Sequence, residues 1–487
     1  MPSQPMNALV IMSDEHTRRM SGCYGHPQVQ TPNIDRLAES GMRFDYGYCN
    51  NPICVPSRAN FLTGRYVHET GNWDNGHPYI GHEAPSWGHR LGAEGHQVTS
   101  IGKLHYRSDD DDNGLADSRV SLNVLDGKGD IFGCMRWHTE PLPFMVNNVL
   151  EAGAGECPYT RFDTAVGDEA VSWLNKEGLA EDKPWALFVS FAYPHFPFIV
   201  PEEFKAMYPN DSVLLPHQWD RPDWPNHPFW DDVREWRYAL DGAPIDEAAV
   251  RNAVSAYFGM ISFLDNQIGR VLGALEESGQ TDNTRIIYTS DHGEMAGSYG
   301  LWGKSCMYED SAGVPFIVAG PDIPAGQVSD QNVSLIDCFP SILDCVGVPL
   351  EEEDADLPGT SLWPIARGEE SPDRIAFAEY HALFSTVGNY MVKDDRYKLV
   401  YYAGNKYPPN LFDLQKDPSE LVDLGQDPAY ADTITRLETE LRKVCNPEAV
   451  NEQAFADQRA MVDRHGGEAT LLAQGLEINF SPAPGFM

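Results

Sequence analysis

The chain has 487 residues, 42% of them hydrophobic and 11% aromatic, which excludes a disordered chain and leaves room for one large domain and a smaller one. Its formal net charge of −38 excludes a nucleic-acid partner, which needs a basic footprint, so any anion site must be a local gathering of Arg, Lys, His and metal. No apolar run reaches the length of a membrane span, and nine cysteines without paired spacing fit reduced thiols. The N-terminus lacks a basic n-region and a long apolar h-region, so a cytoplasmic protein is expected.

In chain order, Ala8-Leu9-Val10-Ile11-Met12 is the first expected strand, and it runs straight into Ser13-Asp14-Glu15-His16. Asn33–Ser40 is a short helix closed by Gly41. Next comes Cys54-Val55-Pro56-Ser57-Arg58. A helix starting at Pro56 or Ser57 leaves Cys54 facing its N-terminus, where backbone N–H groups favour an anion. Asn72-Trp73-Asp74-Asn75 follow that helix and are placed to reach a pocket rim. Val98–Ile101 precedes Gly102-Lys103-Leu104-His105, and Trp185–Phe191 precedes Ala192-Tyr193-Pro194-His195. Trp219, Trp224, Phe229, Trp230 and Trp236 crowd one Pro-rich stretch, either as an aromatic wall for an aryl or cationic group or as packing.

A long amphipathic helix is expected from about Ala248 to Glu277, with Val254, Tyr257, Ile261, Leu264, Ile268, Leu272 and Leu275 on one face. Arg285–Thr289 then precedes Ser290-Asp291-His292-Gly293. Short β-rich runs alternating with helices imply a parallel sheet covered on both faces. Ligands of such sheets bind beyond the carboxyl ends of the strands, where all four polar clusters stand. The expected fold is therefore α/β, a large mostly parallel sheet sandwiched by helices, with a smaller C-terminal α+β domain. The expected boundaries are 1–365, 366–445, and a tail 446–487 with weak periodicity. Asp417–Glu420 is expected as a turn followed by a helix. Leu471, Leu472, Leu476, Ile478, Phe480 and Phe486 would be poorly placed on a free tail, so the tail is expected to pack on its own or a neighbouring subunit, with a homo-oligomer the favoured case.

Cys54-x-Pro56-x-Arg58 resembles the signature of the type I sulfatases in the alkaline phosphatase superfamily, in which that Cys is oxidised to formylglycine. The likeness runs from Asn7 to about Leu424. It includes Thr31–Ala38, Gly102-Lys103-Leu104-His105, Thr289–Glu294, Gly303-Lys304 with Tyr308-Glu309, and Leu411–Leu414 with Asp417, Pro418 and Glu420. The arylsulfatase and choline-sulfatase branches are the nearest in pattern.

The resemblance implies an α/β sulfuric ester hydrolase that needs a formylglycine-generating or sulfatase-maturing enzyme as partner and a sulfate monoester as substrate. It implies Asp14, Asp291 and His292 as metal ligands, with an oxygen of matured Cys54 completing the shell. Ca²⁺ is favoured, and Mn²⁺ or Mg²⁺ also suits the donors. Arg58 would hold the diol oxygen, and Lys103 and Lys304 the sulfate oxygens. His105 would be the base on the formylglycine hydroxyl, and His195 the acid for the leaving oxygen. Glu15 departs from the family, where many relatives carry a second Asp. A phosphonate monoester or phosphodiester hydrolase shares the modified Cys but typically lacks the Gly-Lys-x-His element. Phosphotransferases and mutases of the superfamily use Ser or Thr, and a binding protein with unmodified Cys54 would have no need of the polar set.

Overall fold

The computed structural model describes residues 4–140, 144–220, 227–238, 245–369 and 372–474, with Ala483, Gly485 and Phe486. Its main sheet has eight strands: β1 Asn7–Ser13, β2 Met42–Tyr48, β3 Val98–Lys103, β4 Asp117–Leu122, β5 Ala186–Ser190, β6 Thr284–Ser290, β7 Phe316–Ala319 and β8 Gln327–Ser334. Across the sheet they run β8-β2-β7-β6-β1-β5-β3-β4. All neighbours are parallel except β7, which is antiparallel to both β2 and β6. The expected mostly parallel sheet is thus present.

β1 shows why both faces are covered. Its residues Ala8–Met12 are apolar, and the whole strand is buried. Ala8, Val10 and Met12 join one core, while Leu9 and Ile11 join the other. The first core takes Ala59, Phe61 and Leu62 from the helix after β2. The second takes Phe162 and Val166 from the helix Pro158–Asn175 and the expected stripe from Glu247–Glu277. Each such aliphatic side chain taken from water contributes on the order of 1.5–3 kcal/mol. The 31-residue helix Glu247–Glu277 starts where the Asp246 carboxylate accepts Ala249 N–H, an N-cap that satisfies one orphan donor.

A four-stranded antiparallel sheet follows: β9 Ala376–Tyr380, β10 Asn389–Lys393, β11 Tyr397–Tyr402 and β12 Asn410–Asp413. Leu437 and Leu441, from the helix Ala431–Val444, pack on Phe377, Val392 and Leu399. The expected helix directly after Asp417–Glu420 is absent. Instead Glu420 accepts Glu309 N–H and pairs with buried Lys398, which draws the segment inward, and the next α-helix begins at Ala431.

The tail differs from the expectation of weak structure. Pro447–Arg464 and Glu468–Gln474 are helices, labelled α1 and α2 below, and they dock on their own chain. Leu471 is buried in a small core with Ile131 and Phe132, while Leu472 is exposed. Arg161 donates to the Phe486 carbonyl. α1 is held by apolar Ala454 and Val462 together with polar contacts of Asn451, Asp457 and Gln458, and this interrupted apolar face is why periodicity did not reveal it. Leu476, Ile478 and Phe480 lie outside the described residues.

Candidate active site

Three of the polar clusters sit directly at the carboxyl ends of β1, β3 and β6, all in the main sheet. Asp14 and Glu15 follow β1, Lys103 ends β3 and His105 follows it, and Asp291 and His292 follow β6. His195 lies five residues past the end of β5. Gly102 lets β3 approach this closely: at φ +108° a Cβ there would stand 2.0 Å from Ser190 O. Cys54 opens the helix Cys54–Thr63 and is 1% exposed. Lys304 comes from the long connection between β6 and β7.

These residues converge. The Asp14 and Asp291 carboxylates, Cys54 Sγ and a His292 ring nitrogen all lie within 4.8 Å of one another, buried. Cys54 Sγ is 3.1 Å from His292 Nε2 and 3.8 Å from Asp14 Oδ1. The Arg58 guanidinium clamps both acids, with Nη2 2.9 Å from Asp14 Oδ2 and Nε 2.8 Å from Asp291 Oδ2. Its Nη1 donates to Lys103 O and Ser190 Oγ. Lys103 Nζ is 2.8 Å from Asp14 Oδ2, and Lys304 Nζ is 2.8 Å from Glu15 Oε2. His195 Nε2 faces Glu15 at 3.3 Å, while its Nδ1 meets Phe196 O at 2.6 Å. His105 is buried with no hydrogen-bond partner on either ring nitrogen among the described residues.

Burial raises the Asp14 carboxyl, but Lys103, His195 and Arg58 outweigh it and hold the group well below the carboxylate range. Asp291 is raised, by burial and then by the Asp14 charge. Glu15 is raised well above its usual value by burial, against Lys304. Burial and then Asp14 push the Cys54 thiol up to about 12, so the encoded thiol is not a thiolate nucleophile near neutrality. Burial, reinforced by Lys103 at His105 and by Lys304 at His195, holds both imidazoles far below their usual value. Glu15 and His105 both adopt positive φ, 68° and 57°, a cost that structures retain mainly where function over-determines the backbone.

The donor set fits a divalent cation. Two hard carboxylates and an imidazole share one buried cage, and Asp291 is raised by burial and then by the neighbouring Asp14 charge. A cation there relieves that repulsion. Glu15 is not in this group. It belongs with Asp14 and His195 and pairs with Lys304.

Beside the cage lies a cavity of about 490 Å³, lined on that side by Val55, next to Cys54, and by His105. Asn75, singled out from the sequence, lines it. The aromatic stretch does not supply its wall. Phe229 and Trp230 are buried against Tyr402 and Tyr308, and Trp219 packs on the second core. Trp224 lies outside the described residues, as does the Trp236 side chain. Sequence reasoning missed Ser190, whose only signal is its place at the end of β5, and the tail residues His465, Leu471 and Gln474, which line the cavity.

A family model described as Sulfatase matches residues 6–348, and one described as N-sulphoglucosamine sulphohydrolase, C-terminal, matches residues 297–446. The chain is 30% identical to choline-sulfatase of Rhizobium meliloti (strain 1021), over 87% of this chain and 83% of that one. It is 29% identical to arylsulfatase K of Danio rerio, over 91% and 84%. Among solved structures it resembles the phosphonate monoester hydrolase of Agrobacterium radiobacter, with a TM-score of 0.72, 25% identity, and 91% and 95% of the two chains covered. The first family model spans well over half of the 487 residues, and the chain belongs to the sulfatase family, the hydrolases of sulfuric esters.

Proposed function

We propose that this sulfatase cleaves sulfate monoesters with a formylglycine made from Cys54 and a Ca²⁺ ion held by Asp14, Asp291 and His292. One observation carries the reading: Cys54 Sγ shares a single buried cage with those three donors. The Sγ atom marks the place an oxygen of the matured residue would take. Formylglycine supplies a geminal diol, of which one oxygen can attack sulfur, and a bound cation supplies Lewis-acid stabilisation of the sulfate charge.

The chain's own residues do the rest. Arg58 fixes both acids, so the cage is preorganised before substrate arrives. Lys103 and Lys304 place positive charge where sulfate oxygens gather it. His105, neutral and free on both nitrogens among the described residues, takes the proton of the diol hydroxyl. His195 keeps Nδ1 on Phe196 O and presents Nε2 to the leaving oxygen, with Glu15 beside it to steady a bound proton. Cys54 is 1% exposed, so a maturing enzyme has to reach it before the chain closes. All nine cysteines are free, which supports a reducing, cytoplasmic location. Cell fractionation decides that point, and light scattering decides the expected homo-oligomer.

The rival activity is phosphonate monoester hydrolysis, which the solved neighbour is named for. Lys103 and His105 at the cage support sulfate. Paired kinetics on an aryl sulfate and the matching aryl phosphonate monoester test this. A higher kcat/KM on the sulfate is expected, and a phosphonate preference would reassign the enzyme.

A further inference from the structure

If the cage takes the sulfate group, as proposed above, the cavity beside it receives the alcohol. Its volume of about 490 Å³ falls in the range of pockets that enclose a drug-sized molecule, roughly 300–1,000 Å³. Apolar Val55, Val124, Leu125, Ile131 and Leu471 line part of it, and the rest offers hydrogen-bonding groups: Asn75, Asp126, Lys128, Asp130, His465 and Gln474. Among the described residues, Phe132 is the one aromatic carbon ring that lines it. A flat aryl group or a quaternary ammonium head would want stacked aromatic faces, and Phe229 and Trp230 of the aromatic stretch are committed to the core. Such an alcohol would also leave the polar groups unpaired, which is costly in a site built to hydrogen-bond. A polyhydroxylated alcohol satisfies them.

His465 and Gln474 come from the far end of the chain, and their wall is fixed rather than loosely draped. Gln458 of α1 donates to Asp74 Oδ2 at 2.7 Å, and Trp73 Nε1 donates to Asp457 Oδ2 at 2.8 Å. Arg136 Nη2 donates to Asn451 Oδ1, and its guanidinium stacks on Phe455 with Cζ 4.1 Å from the ring centroid. Asp74 is itself completely buried and accepts from Gly76 N and His77 Nδ1. Asn75, one residue on, lines the cavity and accepts Val55 N–H, next to the nucleophile. One short segment therefore ties the C-terminal helices to the nucleophile loop. His465 Nδ1 lies 2.9 Å from Met461 O, which orients the ring with Nδ1–H donating and leaves Nε2 as an acceptor.

We propose that α1 and α2 form the alcohol-binding wall of this sulfatase, that His465 and Gln474 are specificity-determining residues in it, and that the alcohol is polyhydroxylated, a sugar-like sulfate ester. Specificity then comes from hydrogen bonds to substrate hydroxyls made outside the cage.

The test uses matured, metal-loaded enzyme and its His465→Ala and Gln474→Ala variants. Substrates are a panel of positional monosulfates of glucose, choline sulfate and nitrophenyl sulfate. The wild type should prefer the best glucose monosulfate in kcat/KM over choline sulfate. His465→Ala should lower the ratio of glucose monosulfate to nitrophenyl sulfate at least tenfold, mainly through KM, and Gln474→Ala should lower it less. A second arm measures binding of the same glucose monosulfates by calorimetry to Cys54→Ala protein, with and without His465→Ala; a tenfold or greater weakening is expected. An unchanged ratio with unchanged binding, or a wild-type preference for choline sulfate, would overturn the proposal. The binding arm needs no turnover, so an enzyme inert on every sulfate ester would remove the reading of the cage while binding still decides the cavity.

Discussion

Asp14, Arg58, Lys103 and Asp291 are completely buried and hold one another by ion pairs of 2.8–2.9 Å. Across the cavity, His465 follows α1 and Gln474 ends α2, and these helices meet the rest of the chain through a small apolar core around Val462 and Leu471 and polar contacts such as Trp73–Asp457 and Gln458–Asp74. The cage is assembled from strand ends whose positions the sheet fixes, so charge can be buried there with little freedom to relax. The wall is assembled from helices whose positions the cage does not need. The difference separates two duties: the cage fixes the reaction, and the wall is free to fix the substrate.

Removing the nucleophile should break the comparison hardest. Cys54→Ala is expected to lower kcat by more than about 10⁴-fold, as loss of a covalent catalyst does, with an unchanged circular dichroism spectrum. Next comes Arg58→Ala, which strands Asp14 and Asp291 together without their shared guanidinium. Stability of chelator-treated protein should fall by about 3–5 kcal/mol in urea unfolding, the cost of breaking a buried pair. Added Ca²⁺ should recover part of that loss, and a loss that Ca²⁺ leaves untouched would argue against a cation between those two acids.

A buried charge outside the cage gives the middle case. Glu379 lies 2.7 Å from His68 Nδ1 and 2.9 Å from His381 Nε2. Burial raises it, but the imidazoles outweigh burial and hold it at about 2. Against burial, Glu379 raises His68, whereas burial lowers His381, so the charged pair is Glu379–His68. A depressed carboxyl contributes stability that is present above its unfolded value and is lost as pH falls through the folded one. Unfolding free energy should therefore drop by about 3 kcal/mol more in wild type than in Glu379→Gln between roughly pH 4.5 and 2. Parallel curves for the two proteins would show that the pair contributes nothing.

The smallest effect belongs to the wall. Gln458→Leu removes one donor to the buried Asp74 carboxylate and loosens α1. It should cost about 1–3 kcal/mol of stability and raise KM more than it lowers kcat. An equal loss in kcat would mean that the wall also positions the cage.

The two regions also differed in legibility. Asp14, Lys103, His105, Asp291 and His292 stood out because each follows a short β-rich run, and such runs are how buried parallel strands announce themselves. Cys54 and Arg58 stood out by spacing at a helix start. The helix Glu247–Glu277 was legible from its apolar stripe, which is buried as expected. α1 was not, because its inward residues are Pro447, Ala454, Gln458 and Val462: small residues and a Gln interrupt the apolar face, and polar contacts share in holding the helix. The 124–132 side of the cavity was hidden for a related reason: it contains two 3₁₀ turns, Leu125–Gly127 and part of Phe132–Cys134, too short to carry a period. The aromatic stretch drew attention through composition, and its described members Phe229 and Trp230 pack the core.

The central claim is that Cys54 is a precursor in a cage built for its oxidised form. Mass spectrometry of the peptide containing Cys54, taken from active, metal-loaded enzyme, tests it most directly. The account predicts an aldehyde or its hydrate at position 54, in a fraction that rises with specific activity across preparations. Fully active enzyme carrying only the unmodified thiol would contradict it.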